Sequence, residues 1–202
     1  MNLSNLKVGQ TFLVKTPSYK STLETANTNK PPVFKLDGKV YTLNEIKDKW
    51  PNGVEVKGDL DLADLGLGSL PFKIKSIGGD FYCMRNKLTS LNGGPDFVGG
   101  DFYLFNNNLT SLSGSPKIVK GSFLCSDNKL TSLKGGPKEV GGDFGCFKNN
   151  LTSLEGAPQK VGGNFYCHTN KKNFTVLEVK SACKVKGRII VKSNSGMKHE
   201  SL

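Results

Sequence analysis

Residues 88–108 read LTSLNGGPDFVGGDFYLFNNN, and residues 109–129 read LTSLSGSPKIVKGSFLCSDNK. Residues 130–150, LTSLKGGPKEVGGDFGCFKNN, and residues 151–171, LTSLEGAPQKVGGNFYCHTNK, repeat the pattern. This is one 21-residue unit written four times without insertion or deletion. Behind each Leu-Thr-Ser-Leu comes a proline (Pro95, Pro116, Pro137, Pro158) and then a valine (Val98, Val119, Val140, Val161). Next come a glycine, a phenylalanine (Phe102, Phe123, Phe144, Phe165) and a closing asparagine (Asn107, Asn128, Asn149, Asn170). A fixed period of this length is the signature of a solenoid, in which each unit buries its apolar side only against its neighbours.

The period continues beyond these four units. Ile77-Gly78-Gly79-Asp80-Phe81 lies 21 residues before the Val98–Phe102 run, and Val56-Lys57-Gly58-Asp59-Leu60 lies 21 before that. Downstream the register slips by three residues, and Val185-Lys186-Gly187-Arg188-Ile189 repeats the pattern. Seven strands follow, near 58–63, 79–84, 100–105, 121–126, 142–147, 163–168 and 187–192. Within a unit, Phe102 and Leu104 alternate as inward strand residues. A stacked asparagine column bonds the backbone at each corner, and the prolines end the Leu-Thr-Ser-Leu segment.

Ahead of the repeats, Gly9–Lys15 reads as a short strand and 16–32 as a polar loop. Val33–Leu36 and Lys39–Tyr41 form a hairpin about the Asp37-Gly38 turn. Thr42-Leu43-Asn44-Glu45 is a capping box that starts a helix over 43–50, with Leu43, Ile46 and Trp50 on one face. That helix caps the first coil. The expected organisation is an N-terminal α+β cap (1–53), a solenoid of about seven turns (54–194) and a frayed tail (195–202).

The repeat resembles the leucine-rich repeat consensus. It is most similar to the short class found in effectors secreted by pathogenic bacteria, where Asn-x-Leu-x-x-Leu is followed by Pro. Here that is Asn107-Asn108-Leu109-Thr110-Ser111-Leu112 with Pro116, and Asn128-Lys129-Leu130-Thr131-Ser132-Leu133 with Pro137. It departs from that class in its Phe-x-Cys strand and in the added Gly-Gly-Asp. Gly58-Asp59-Leu60-Asp61-Leu62 and Gly79-Asp80-Phe81-Tyr82-Cys83 also resemble Gly-Asp-Leu/Phe repeats of tailed-bacteriophage proteins. The fold implied is mainly β, a leucine-rich-repeat-like solenoid of 21-residue period with a small α+β cap. The resemblance covers roughly residues 54–194. It implies a bacteriophage-encoded recognition protein that meets a host or phage protein, inhibition of a host enzyme or defence factor being one form.

Side chains that could do chemistry are accounted for by the repeat. Four of the five cysteines share one column (Cys83, Cys125, Cys146, Cys167), with Leu104 in the same slot, so the slot takes a small apolar filler. No Cys-x-x-Cys occurs and there are two histidines, so neither metal nor cofactor is expected. Asp59, Asp80, Asp101 and Asp143 form a carboxylate column that could suggest glycoside cleavage, but Ser122 and Asn164 interrupt it. No catalytic residue is assigned. No apolar run is long enough to span a membrane, and the first residues lack a signal pattern, so a cytoplasmic protein is expected, in the host cytoplasm if phage-encoded.

Outward strand positions vary while core positions do not. Tyr82, Met84, Arg85, Tyr103, Phe105, Phe147, Tyr166 and His168 therefore form the expected partner-binding face, with Leu124, Ser126 and Gly145 flooring a shallow groove between two aromatic ridges. The net charge is +11, with 28 basic and 17 acidic side chains. Residues 1–50 carry +4 and 172–202 carry +5, against +2 for 88–171, which places the excess at the ends. Nucleic-acid or ribosome binding through Lys184, Lys186, Arg188 and Lys192 is therefore the alternative, with those charges expected on one face of one strand. A carbohydrate-active enzyme ranks last.

Overall fold

The computed structural model describes residues 33–192. The expected strand at 9–15, the loop at 16–32 and the tail at 195–202 lie outside the described residues. The chain opens with an antiparallel hairpin of β1 (Val33–Leu36) and β2 (Lys39–Thr42), turned at Asp37-Gly38, followed by α1 (Leu43–Lys49). The capping box is present. Thr42 N donates to Glu45 Oε2 at 2.7 Å, and Glu45 N donates to Thr42 Oγ1 at 3.3 Å. Ile46 is fully buried, and Phe34 meets Phe72 edge-on at 5.3 Å, which joins the cap to the solenoid core.

From Val54 the chain winds as a parallel β-solenoid of about seven coils, and it contributes two strands per coil rather than one. One parallel sheet is built from β3 (Val54–Val56), β5 (Ile74–Ile77), β7 (Phe97–Val98), β9 (Ile118–Val119), β11 (Glu139–Val140), β13 (Lys160–Val161) and β15 (Lys184–Val185). The other is built from β4 (Leu60–Asp61), β6 (Phe81–Tyr82), β8 (Phe102–Tyr103), β10 (Phe123–Leu124), β12 (Phe144–Gly145), β14 (Phe165–Tyr166) and β16 (Ile189–Ile190). We call them the valine sheet and the phenylalanine sheet after their inward columns. The seven strands expected from the sequence are the phenylalanine sheet. The valine sheet was signalled only by its β-branched column, whereas the phenylalanine strands, no longer, are followed by a second inward residue (Cys or Leu) that shows the alternation.

Register follows the 21-residue period. Phe81 pairs with Phe102, then Phe123, Phe144 and Phe165, and the rings stack inside with centroids 4.6–5.8 Å apart. The cysteine–leucine column, the Leu88/Leu109/Leu130/Leu151 column and the Val98/Val119/Val140/Val161 column are all buried beside them. The core is thus a set of single-residue stacks running the length of the solenoid.

At one corner stand the asparagines. Asn107 Oδ1 accepts from Leu88 N in the preceding coil (3.0 Å), and its Nδ2 donates to Cys83 O of that coil and Leu104 O of its own, both at 3.0 Å. Asn86, Asn128, Asn149 and Asn170 repeat the arrangement. The residue before each asparagine is left-handed: Arg85, Asn106, Asp127, Lys148 and Thr169 have φ between 51° and 61°. Arg85, expected on the strand face, therefore stands where the chain turns out of the strand.

The three-residue slip is taken up by α2 (Val176–Ala182), which the sequence reading missed. Its signal was a second capping box, Thr175-Val176-Leu177-Glu178. Glu178 also pairs with Lys172 at 2.7 Å, and the Lys172 and Thr175 hydrogen bonds hold its carboxyl down at about 2. α2 occupies the side of the coil that Leu-Thr-Ser-Leu fills elsewhere, with Val179 and Cys183 buried.

Asn128→Leu should lower stability by roughly 1–3 kcal/mol, because Leu109 N and three carbonyls lose their partner in a buried corner; denaturant melts measure it. Thr169→Gly should raise stability by about 1 kcal/mol, since a β-branched residue at φ 57° is strained where glycine is not. An unchanged or lower melting temperature would show that the Thr169–His168 hydrogen bond outweighs that relief.

Candidate recognition surfaces

The column of Asp59, Asp80, Asp101, Ser122, Asp143 and Asn164 sits at the corner between the two sheets, and each member is used structurally. Asp59 Oδ1 accepts from Asp80 N at 2.8 Å, Asp80 Oδ1 from Asp101 N at 2.7 Å, and Asp101 Oδ1 from Ser122 N at 2.6 Å. Ser122 Oγ, Asp143 Oδ1 and Asn164 Oδ1 accept in the same way from Asp143, Asn164 and Arg188. Asp37 from the hairpin turn covers the open end of the column, accepting from Lys57 N and Gly58 N at 3.0 Å, one and two residues before Asp59. The preceding glycine is required by proximity: a Cβ at Gly100 would overlap Asp80 Oδ1. Ser122 and Asn164, which looked like interruptions, are equivalent acceptors. A ladder that needs one side-chain acceptor per coil explains this column without any catalytic role.

Beyond the ladder lies the outward face of the phenylalanine sheet. Its N-terminal half is more enclosed than the sequence reading expected. Met84 is 2% exposed and Tyr103 6%, and with Ala63 and Leu124 they form a second buried cluster, against which Tyr82 and Phe105 pack. Tyr82 and Tyr103 stack at 5.2 Å. Their hydroxyls donate to Asp80 Oδ2 (2.9 Å) and Asp101 Oδ2 (2.6 Å). Burial, and then these carboxylates, push both phenols up. Ser126 is buried too, as are Leu124 and Gly145. Arg85 forms a bidentate pair with Asp64 of the preceding coil at 2.8 and 2.6 Å.

The C-terminal half of this face is more open. Phe147, Tyr166 and His168 are half-buried. Phe147 stacks on His168 at 4.6 Å, beside the buried Gly145, over which Leu124 and Phe147 close. Burial, and then Lys148, lower the His168 pKa. Tyr166 OH accepts from Asn164 Nδ2 at 3.1 Å.

The basic C-terminal residues lie differently from the expectation. Lys184 is in β15 of the valine sheet, Arg188 precedes β16 of the phenylalanine sheet, and Lys186 and Gly187 form the corner between them. They do not share one face of one strand. All three, and Lys192, are exposed.

Cys83, Cys125, Cys146 and Cys167 are buried thiols, and burial pushes Cys167 up to about 12. Among the described residues no three His, Cys, Asp or Glu side chains are grouped to hold a metal ion, and no helix is long and apolar enough to cross a membrane.

The surface that sequence reasoning missed is the outward face of the valine sheet. Here Phe97 pairs in register with Ile118, and they are 36% and 39% exposed. The signal was available: the residue before each β-branched marker must point out when the marker points in.

Comparison with protein-family models, with curated proteins and with solved structures finds no match to this chain.

Tyr103→Ala should cost about 2–4 kcal/mol, approaching Phe102→Ala at about 3–5 kcal/mol, because both leave cavities. Phe147→Ala should cost under about 1 kcal/mol. Thermal melts on the three variants test the ranking. A Tyr103 variant as stable as the parent would return that ring to the exposed face.

Proposed function

We propose that this protein is a non-enzymatic recognition module that binds another protein through the outward face of the phenylalanine sheet. The observation that carries the reading is the half-buried aromatic group Phe147, Tyr166 and His168, on the side of the sheet away from the core. The core has its own phenylalanine column, so these rings are not needed to fill it. Aromatic side chains that present partly exposed faces from a rigid sheet are the side chains most often found as interface anchors. Phe105 continues the surface toward the N-terminal half, where the buried Met84 and Tyr103, with Tyr82 and the Arg85–Asp64 pair, serve as its support.

The polar residues argue for binding over chemistry. A hydrolase needs a carboxyl or nucleophile free to react with substrate. In this chain the carboxylate column is bonded coil to coil, and the four thiols beneath the phenylalanine sheet face the core. The resemblance to leucine-rich repeats and to tailed-bacteriophage repeats supports a host or phage protein as partner, met in the cytoplasm, and is compatible with inhibition of a host enzyme or defence factor.

The test is capture from bacterial lysate with the tagged chain, its Phe147→Ala/His168→Ala variant and a Leu177→Ala control on α2. A specific protein should be retained after nuclease treatment, lost with the double variant and kept with the control. Retention undiminished by the double variant, in a protein that melts like the parent, would remove this face as the interface.

A further inference from the structure

The two sheets differ in the charge they carry outward. Around the phenylalanine sheet, Asp61, Asp64 and Asp127 stand against Arg85, Lys148, Arg188 and Lys192, with the ladder aspartates at the corner between the sheets. On and beside the strands of the valine sheet, the exposed charges are mainly Lys75, Lys117, Lys120, Lys138, Lys160 and Lys184, against Glu55, Asp96 and Glu139. The small net charge of the repeats therefore hides a basic face, and the basic excess is not confined to the ends.

Three features make the basic face a surface for a polyanion. First, it is under-neutralised. Two of its carboxylates are paired, Lys75 with Glu55 at 3.4 Å and Lys160 with Glu139 at 3.3 Å, while Lys117, Lys120, Lys138 and Lys184 have no carboxylate within ion-pair distance among the described residues. Second, Lys120 interrupts a glycine column. Gly78, Gly99, Gly141 and Gly162 hold the equivalent positions, and a Cβ on any of them would collide with the carbonyl of the preceding coil. The bond Lys120 N–Val98 O is 3.1 Å where its glycine equivalents are 2.8–2.9 Å, and Lys186, the lysine at this position in the last coil, bonds Val161 O at 2.9 Å, so the ladder carries a lysine as well as a glycine. Third, the lysines flank the exposed Phe97–Ile118 pair, the one place where an aromatic ring stands outward on this sheet.

We infer that the outward face of the valine sheet binds single-stranded nucleic acid, with the lysines on phosphates and Phe97 stacking on a base. This goes beyond the protein-recognition reading and uses a different face. A flat seven-stranded sheet, roughly 29 Å across its strands at the usual ~4.8 Å spacing, cannot enter a duplex groove that admits a helix or a two-stranded ribbon. A single strand laid along it offers both phosphates and unstacked base faces.

The experiment is fluorescence anisotropy of a labelled oligothymidylate of roughly 20 nucleotides, long enough to cross the sheet, titrated with the full chain at low and at physiological salt. Saturable binding is expected, weakening with salt at a log–log slope of about −2 to −3, as for three or four phosphate contacts on a single strand. Lys117→Glu/Lys120→Glu/Lys138→Glu should weaken it at least about tenfold, and Phe97→Ala about fivefold or more with little change in slope. The Gln versions of the three lysines serve if the Glu variant fails to fold. Lys87→Glu/Lys129→Glu/Lys171→Glu makes the same charge change on the Leu-Thr-Ser-Leu side and should weaken binding much less. No saturable binding at low salt, equal weakening by this control, or a duplex bound as tightly with Phe97→Ala neutral would each overturn the inference. So would an acidic protein held through these lysines that the oligonucleotide does not displace. Protein capture through Phe147 and His168 stands or falls separately, because no residue is shared.

Discussion

The distance between stacked coils controls this molecule. Parallel coils lie at strand spacing, about 4.8 Å, so within the repeats each strand residue sits on its equivalent 21 positions away. The polar residues of the corners find partners on the coil above or below. An asparagine amide has the acceptor and donors to bond one coil's N–H and two coils' carbonyls together, which Asn107, Asn128 and Asn149 do. The aspartate column solves the same problem at the next corner, with Ser122 and Asn164 as substitutes. The glycine before it is dictated by the same spacing, because a Cβ there would overlap the acceptor below.

The ends show what the constraint demands when the repeat stops. At the first coil the hairpin brings Asp37 over the open backbone, where it accepts from Lys57 N and Gly58 N, and Phe34, Leu36 and Ile46 close the apolar stacks. At the last coil, Ile189 replaces the phenylalanine, and α2 fills the side left by the missing Leu-Thr-Ser-Leu. Both caps use the same capping box, Thr42 with Glu45 and Thr175 with Glu178. The outer edges of β15 and β16 have no strand partner among the described residues, and Lys184, Lys186, Arg188 and Lys192 surround them. Charge on an open edge discourages stacking of one solenoid on another.

Because the ladders absorb the repeated polar residues and the stacks absorb the repeated apolar ones, variation is left to the outward positions. There the two sheets diverge. One carries half-buried aromatics over an acidic corner, and the other carries lysines about an exposed Phe97–Ile118 pair. A solenoid offers such flat, independent faces because each coil contacts only its neighbours, so one face can change without disturbing the other.

The 21-residue period, the inward phenylalanine, leucine and valine columns, the asparagine ladder and the Thr42 capping box were legible from residue order alone. Each is a local pattern, and repetition multiplied the signal. The second sheet was not legible, since Phe97–Val98 and its equivalents carry one inward residue each in the repeats, while the phenylalanine strands show two, Phe102 with Leu104 and Phe123 with Cys125. The burial of Met84 and Tyr103 was also hidden. Alternation says that a side chain leaves the core side of a sheet, but not what packs over it afterwards. The gathering of lysines on one face was invisible in segment totals, because residues close in sequence, such as Lys117 and Asp127, stand on different sides of the coil. The sequence by itself determined the coil and its core, because those depend on the spacing of like residues. Only the tertiary structure decided which outward residues are accessible and which charges stand together, because those depend on where the chain turns.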